Sequence, residues 1–219
     1  MPLSNRLGVN KEEEMHLLDQ RTLGIIMLLL LAVLVIIKQM ATGSILNDRP
    51  RSNLRFWLTH IFNLFFLLIA NPLAAILLIT GHLEAVDPTR PVMDWPRLLM
   101  GLEMGGMLLY VAGFLFMAWA LIRLGRNYQA GGSNPRIADG MVMEGPYRLV
   151  RHPMYTAALS ISLGLACLIQ SLAFLSVFCI YLVLILLLIP AEEEGLRRAY
   201  GQEYLAYQKK VKRLVPLFF

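Results

Sequence analysis

Residues 154–189 read MYTAALSISLGLACLIQSLAFLSVFCIYLVLILLLI, and these 36 residues contain no Asp, Glu, Lys, Arg or His. Only Gln170 and Ser171 interrupt them, dividing the stretch into Met154–Ile169 and Leu172–Ile189. A helix that crosses a bilayer needs about 20 mostly apolar residues. Each half is slightly short, so the pair reads as a tight helical hairpin. Three further apolar runs precede it, at about Leu23–Ile37, Phe56–Thr80 and Leu98–Ile122, the first bounded by Arg21 and Lys38. Backbone groups in lipid must pair internally, which leaves helices, and no alternating ten-residue pattern suggests a barrel. The expected fold is an all-α integral membrane protein with about five transmembrane helices.

Composition agrees. The chain has 219 residues, of which 57% are hydrophobic and 16% charged, against roughly 45–50% and 25% in an average soluble domain. That excludes a disordered chain, which needs low hydrophobicity and high charge, and leaves too few polar side chains to cover a water-soluble globule. The formal charge of +5 does not imply nucleic acid, because the basic residues sit between apolar runs. Cys167 and Cys179 lie inside apolar stretches and are too few for a disulfide framework or a zinc site; no metal is expected. Glu12, Glu13, Glu14 and Asp19 precede the first apolar run and no small-residue cleavage site follows it, so a signal peptide is not expected. Met15, Leu17 and Leu18 suit an interfacial helix before Arg21.

With five spans, residues 38–55, 123–151 and 191–219 share one side of the membrane and carry 15 of the 20 Lys and Arg residues. The positive-inside rule places that side in the cytoplasm. The chain is then one membrane domain: three spans over 1–125, and over 126–219 a catalytic loop, the helical hairpin and a C-terminal tail. The loop and the tail meet in a cytoplasmic cap. Within the spans, Gly101-Leu-Glu-Met-Gly105 has the spacing of close helix packing. Asn63 and Asn71-Pro72 suit helix–helix hydrogen bonding and a kink.

Two polar segments flank the hairpin: Asp139-Gly-Met-Val-Met-Glu-Gly-Pro-Tyr147-Arg-Leu-Val-Arg151-His152-Pro153-Met-Tyr155, and Glu192-Glu193-Glu194-Gly-Leu-Arg197-Arg198-Ala-Tyr200-Gly-Gln-Glu-Tyr204-Leu-Ala-Tyr207. Pro153 suits the first turn of a helix, where its missing N–H is not needed. The free N–H groups of that turn attract anions, His152 and Tyr155 flank it, and Arg151 adds positive charge. Across the hairpin, Glu192 and Glu193 end the fifth helix and offer carboxylates to a cation or an ammonium group. A pocket with both walls suits a zwitterion such as the amino-acid end of S-adenosylmethionine. The residues equally fit interfacial basic side chains and a solvated acidic helix end, and both readings stand on this physics.

The stretch Gly145-Pro-Tyr147-Arg-Leu-Val-Arg151-His152-Pro153-Met-Tyr155 resembles the signature of the isoprenylcysteine carboxyl methyltransferase family, which is similar to bacterial phospholipid N-methyltransferases. The family's later motifs match Glu192-Glu193-Glu-Gly-Leu196, Tyr200-Gly201, Tyr204-Leu-Ala-Tyr207 and Val215-Pro216, so the resemblance covers roughly residues 130–217. It implies that Tyr147, His152, Pro153, Met154, Tyr155 and Glu192 bind S-adenosylmethionine. A stretch that reads His-x-Leu-Val in the family adds Met141 and Val142, with Asp139 in place of its His. Ala157 stands where the family often has Gly. Leu188 stands where prenylcysteine enzymes carry an Arg that engages substrate, which argues against a prenylcysteine carboxylate.

The expected activity is therefore an S-adenosylmethionine-dependent methyltransferase, embedded in the membrane, acting on a lipidic or amphiphilic acceptor such as a prenylcysteine-like carboxylate or a phospholipid amine. No Gly-x-Gly-x-x-Gly follows a strand-like run, so a soluble dinucleotide-type fold is not expected. A carboxylate acceptor is already ionised near neutral pH and needs no base; orientation and desolvation then carry catalysis. An amine must be neutral, and Glu193, Glu194 or Tyr155 is placed to take its proton. Arg151, Tyr155 and Glu193 are the candidate catalytic residues. The competing readings are an NADPH-dependent membrane reductase similar to sterol reductases and a non-catalytic bundle or transport component.

Overall fold

A computed structural model of the chain describes residues 18–43, 54–89, 95–125 and 140–216. Among them every regular element is helical. Helix α1 (Gln20–Thr42) opens on Asp19, whose carboxylate accepts the Thr22 N–H at 3.0 Å, and closes on Gly43 in the left-handed conformation. Helix α2 (Leu54–Phe65) passes through a π-helical turn, Phe66–Ala70, into α3 (Asn71–Thr80). The wider turn has a local cause: Pro72 has no N–H to continue the ladder. A short α4 (Leu83–Val86) precedes α5 (Pro96–Leu124), α6 (Pro153–Ile169) and α7 (Leu172–Lys210).

Four stretches are long and apolar enough to cross a membrane: Gln20–Thr42, Leu54–Thr80, Arg97–Leu124 and Leu172–Tyr200. Of the five spans expected, α6 is the exception, with 17 residues, or about 26 Å at 1.5 Å per residue. Large apolar side chains such as Leu29, Leu68, Leu108, Leu115 and Val183 are exposed, as the lipid-facing side of a membrane bundle requires. This is an integral membrane protein. The hairpin is tight, as its sequence suggests: Gln170 takes a left-handed conformation (φ 56°), and the Ser171 hydroxyl caps α7 by accepting the Phe174 N–H at 3.2 Å. Cys167 is half-buried and Cys179 faces outward, both as free thiols.

Helix α5 packs along α6 more extensively than any other pair, α1 lies against α3 and α5, and α7 contacts α6 and α2. The glycines that permit the α5–α6 approach are not the expected pair. A Cβ at Gly101 or Gly105 would meet nothing, whereas one at Gly106 would lie 2.9 Å from the Gly164 carbonyl oxygen, and one at Gly164 only 2.6 Å from the Tyr110 nitrogen. The stripe Glu103, Gly106, Tyr110 and Gly113 is the buried face of α5, and Gly101 lies off it. Gly164→Val is therefore expected to cost about 1–3 kcal/mol through overpacking, measured as a fall in thermal midpoint in detergent. An unchanged midpoint would mean that the two helices are not in close register.

The two span asparagines join helices. Tyr110 donates to Asn71 Oδ1 at 2.8 Å, and Tyr181 donates to Asn63 Oδ1 while stacking on Phe62 at 4.8 Å. Hydrogen bonds between transmembrane helices contribute about 0.6 to 2 kcal/mol each. They tie α3 to α5 and α2 to α7.

The acidic run does not end α7. The helix continues past Glu192 and Glu193 to Lys210, with Pro190 inside it and a break at Gly201 (φ 54°, ψ −123°). The run can stay helical because Glu193–Arg197 and Glu194–Arg198 are spaced i, i+4 and lie within 3.9 Å and 3.7 Å, a spacing that suits opposite charges. Residues 202–210 therefore fold back over the start of α6.

Candidate active site

The segment before α6 is shaped by its own sequence. Gly145 takes a positive φ of 61°, Pro146 follows, and Gly145–Arg148 forms a single 3₁₀ turn that buries Pro146 and Tyr147. Val150 is fully buried and pairs in a parallel bridge with Lys212. The Arg151 and His152 N–H groups donate to the carbonyls of Lys212 (2.7 Å) and Arg213 (3.0 Å). His152, as the residue before a proline, is held out of the helical region (φ −121°, ψ 62°). Its own carbonyl receives the Thr156 N–H at 3.1 Å, which starts α6.

Two of the three carboxylates of the α7 acidic run, Glu192 and Glu193, reach this segment, and the three are not equivalent. Glu193 has no exposed surface. Its Oε1 accepts Arg151 Nε at 2.9 Å and Nη2 at 2.6 Å and lies 3.4 Å from His152 Nε2. Its Oε2 accepts Arg213 Nη2 at 3.2 Å. Glu194 is exposed and paired with Arg197 at 3.0 Å. Glu192 has no guanidinium partner among the described residues. Tyr155 donates to its Oε2 at 2.8 Å, and His152 Nδ1 lies 3.8 Å from the same oxygen. The His152 and Tyr155 rings stack at 5.6 Å. An isolated buried carboxylate is costly, and pairing with hydrogen-bonded cations is what makes Glu193 tolerable as an ion.

The tyrosines of the tail hold the far wall. Tyr207 donates to the Tyr147 carbonyl at 2.6 Å, and Tyr200 donates to that of Gly140 at 3.2 Å. Burial pushes the Tyr204 and Tyr207 phenols above their ordinary range, so Tyr207 remains a protonated donor. Arg151 also donates to the carbonyls of Gln208 (3.2 Å) and Val211, which ties the end of α7 to the same point.

Of the residues singled out in the sequence, Arg151, His152, Tyr155, Glu192 and Glu193 come together in one cluster. Tyr147 and Pro153 are buried beside it in the chain. Met154 packs instead against the large apolar core, leaving its backbone nearest the cluster. Met141 and Val142 are half-buried just past the Gly140 carbonyl that Tyr200 holds. Asp139, and Met15 and Leu17 of the suggested interfacial helix, lie outside the described residues. The sequence did not point to Arg213. It lies twenty positions past Glu193 with a helix break between, and its only signal was the basic character of the tail.

No curated protein matches the chain. Residues 102–203 match the family model described as phospholipid methyltransferase. The matched region contains α5 from Leu102 onward, the Gly145–Arg148 turn, all of α6 and the Glu192–Glu194 part of α7, and it stops short of Tyr204. This stretch, which carries every member of the cluster except Arg213, is similar to the phospholipid methyltransferase family of membrane methyltransferases.

Proposed function

We propose that the protein transfers the methyl group of S-adenosylmethionine to the amine of a phospholipid-like acceptor, with the site facing the cytoplasm. The observation that carries this reading is the state of Glu192. Among the described residues it is the one carboxylate of the acidic run that no guanidinium pairs with, it is partly open, and it stands beside the N-terminal turn of α6. A ligand with an ammonium and a carboxylate matches that pair: the ammonium at Glu192, the carboxylate at the first-turn N–H groups. The donor set thus fits the methionine end of S-adenosylmethionine, with Tyr147, His152, Pro153, Met154 and Tyr155 around it and Met141 and Val142 at the edge.

When bound, S-adenosylmethionine supplies an electrophilic sulfonium methyl. The chain's own residues then orient and desolvate. Stacking of His152 on Tyr155 gives a flat wall, and Glu193 fixes the imidazole from behind. Tyr155, Ala158 and Leu159 pack on the apolar cluster of Tyr181, Ile185 and Ile189, with Phe62 of α2. The membrane side of the site is therefore apolar, as an acceptor with acyl chains requires. Leu188 is buried where prenylcysteine enzymes carry Arg, which favours the amine over a prenylcysteine carboxylate. An amine nucleophile must lose a proton. Glu193 is held by Arg151 and Arg213, Glu194 by Arg197 and Arg198, and Glu192 is committed to the cofactor's ammonium, so the amine reacts from its neutral form after giving its proton to solvent. A reductase using NADPH draws no support from the family match.

Calorimetry on the purified, folded protein tests this directly. S-adenosylmethionine is expected to bind and NADPH not to compete. Mass spectrometry of membrane lipids after feeding methyl-labelled cofactor should find label on an amine headgroup. Failure of the folded protein to bind S-adenosylmethionine would end the proposal, and label on a carboxylate would overturn the choice of acceptor.

A further inference from the structure

We propose that Arg213, ten residues beyond the family-matched stretch, is a positioning residue of this site: it holds Glu193 from the side opposite Arg151 and thereby fixes His152 against Glu192. This rests on the S-adenosylmethionine reading above. The two oxygens of Glu193 are divided. Oε1 serves Arg151 and lies beside His152 Nε2, and Oε2 serves Arg213. With both oxygens held, the carboxylate cannot rotate, and the imidazole it faces keeps Nδ1 toward Glu192 Oε2. Removing the guanidinium of Arg213 frees Oε2. Arg197 stands next in line at 3.9 Å, but it is already bound to Glu194 at 3.0 Å.

The backbone of Arg213 acts on the same partner. Its carbonyl accepts the His152 N–H at 3.0 Å, so one residue contacts His152 directly and reaches its ring through Glu193. Neighbouring contacts fix where the side chain points. Lys212 is exposed, Leu214 is buried against Tyr181, Ile185 and Ile189, and the Leu214 carbonyl accepts the Thr156 hydroxyl at 2.7 Å. Between the exposed Lys212 and the buried Leu214, the half-buried Arg213 reaches Glu193 Oε2 at 3.2 Å.

Three variants separate a positioning role from plain stabilisation. Arg213→Met removes the guanidinium, Arg213→Lys restores a single charge, and Leu214→Ala loosens the tail without touching Glu193. Affinity for S-adenosylmethionine by calorimetry and the thermal midpoint in detergent are read for each. Arg213→Met is expected to weaken binding about tenfold, the scale of one lost hydrogen bond to a charged group, and Arg213→Lys to recover most of it. Leu214→Ala should lower the midpoint and leave the affinity of the folded protein within about twofold. Unchanged binding by Arg213→Met, no recovery by Arg213→Lys, or an equal loss in Leu214→Ala would each overturn the assignment. If the wild-type protein binds no S-adenosylmethionine, the cofactor reading falls and takes this one with it. If the wild type binds and Arg213→Met binds equally well, only the positioning role falls.

Discussion

Arg151→Met is expected to destabilise the folded protein by about 3–5 kcal/mol, the loss seen when one partner of a buried ion pair is removed. The Arg151 side chain is 9% exposed and that of Glu193 0%, so solvent cannot replace the guanidinium. The same substitution deletes the donors to the Gln208 and Val211 carbonyls, releasing the end of α7 from the loop before α6. In a chain of this size each kcal/mol corresponds to about 2–4 °C of midpoint, so a fall on the order of 10 °C is the expected reading. Adding Glu193→Leu should recover part of it, because replacing both charges by apolar groups removes the stranded ion. A single variant as stable as the wild type would mean that Glu193 is not held by Arg151. A double variant less stable than both singles would mean that Arg213 and His152 depend on the carboxylate more than it depends on them.

Glu192→Gln is expected to behave in the opposite way. Its side chain is 21% exposed, and its close partner is the neutral Tyr155 hydroxyl, which a glutamine oxygen can still accept. Stability should change little. Affinity for S-adenosylmethionine should fall about 10- to 100-fold, since a charge-assisted hydrogen bond contributes about 1.5–3 kcal/mol and each 1.4 kcal/mol is tenfold. Titration of cofactor into the purified variant measures it. An affinity within about twofold of wild type would remove Glu192 from the cofactor site.

The contrast between these two neighbours explains how far the sequence could be read. Successive residues on a helix point about 100° apart. Glu192 and Glu193 therefore face different walls, although in the sequence they stand as one acidic run. Apolar runs announce helices directly, which is why the hairpin and its Gln170-Ser171 turn were legible. A hairpin also brings its ends together, which made the approach of His152 to Glu192 legible. Faces are harder. The Gly101–Gly105 spacing looked like a packing motif, yet Gly106, Gly113 and Gly164 are the glycines in contact, and only the rotation of α5 about its axis decides between them. The continuation of α7 through Pro190 depended on ion pairs whose formation charge alone does not announce. Arg213 reaches Glu193 only after the chain has turned at Gly201, a distance no local pattern spans.

The length of α6 bears on where the chemistry sits in a bilayer. A helix of about 26 Å is some 4 Å shorter than a typical hydrocarbon layer. If α6 crosses the membrane, the lipid around it must thin or the polar start of the helix must be drawn inward. Because α5 and α7 are longer and flank α6, the mismatch falls on its ends. If α6 crosses the bilayer with its Gln170 end at the opposite interface, His152 and Tyr155 would lie below the surrounding headgroup plane. A headgroup could then reach the site by a short inward excursion, with its acyl chains still in the oily layer.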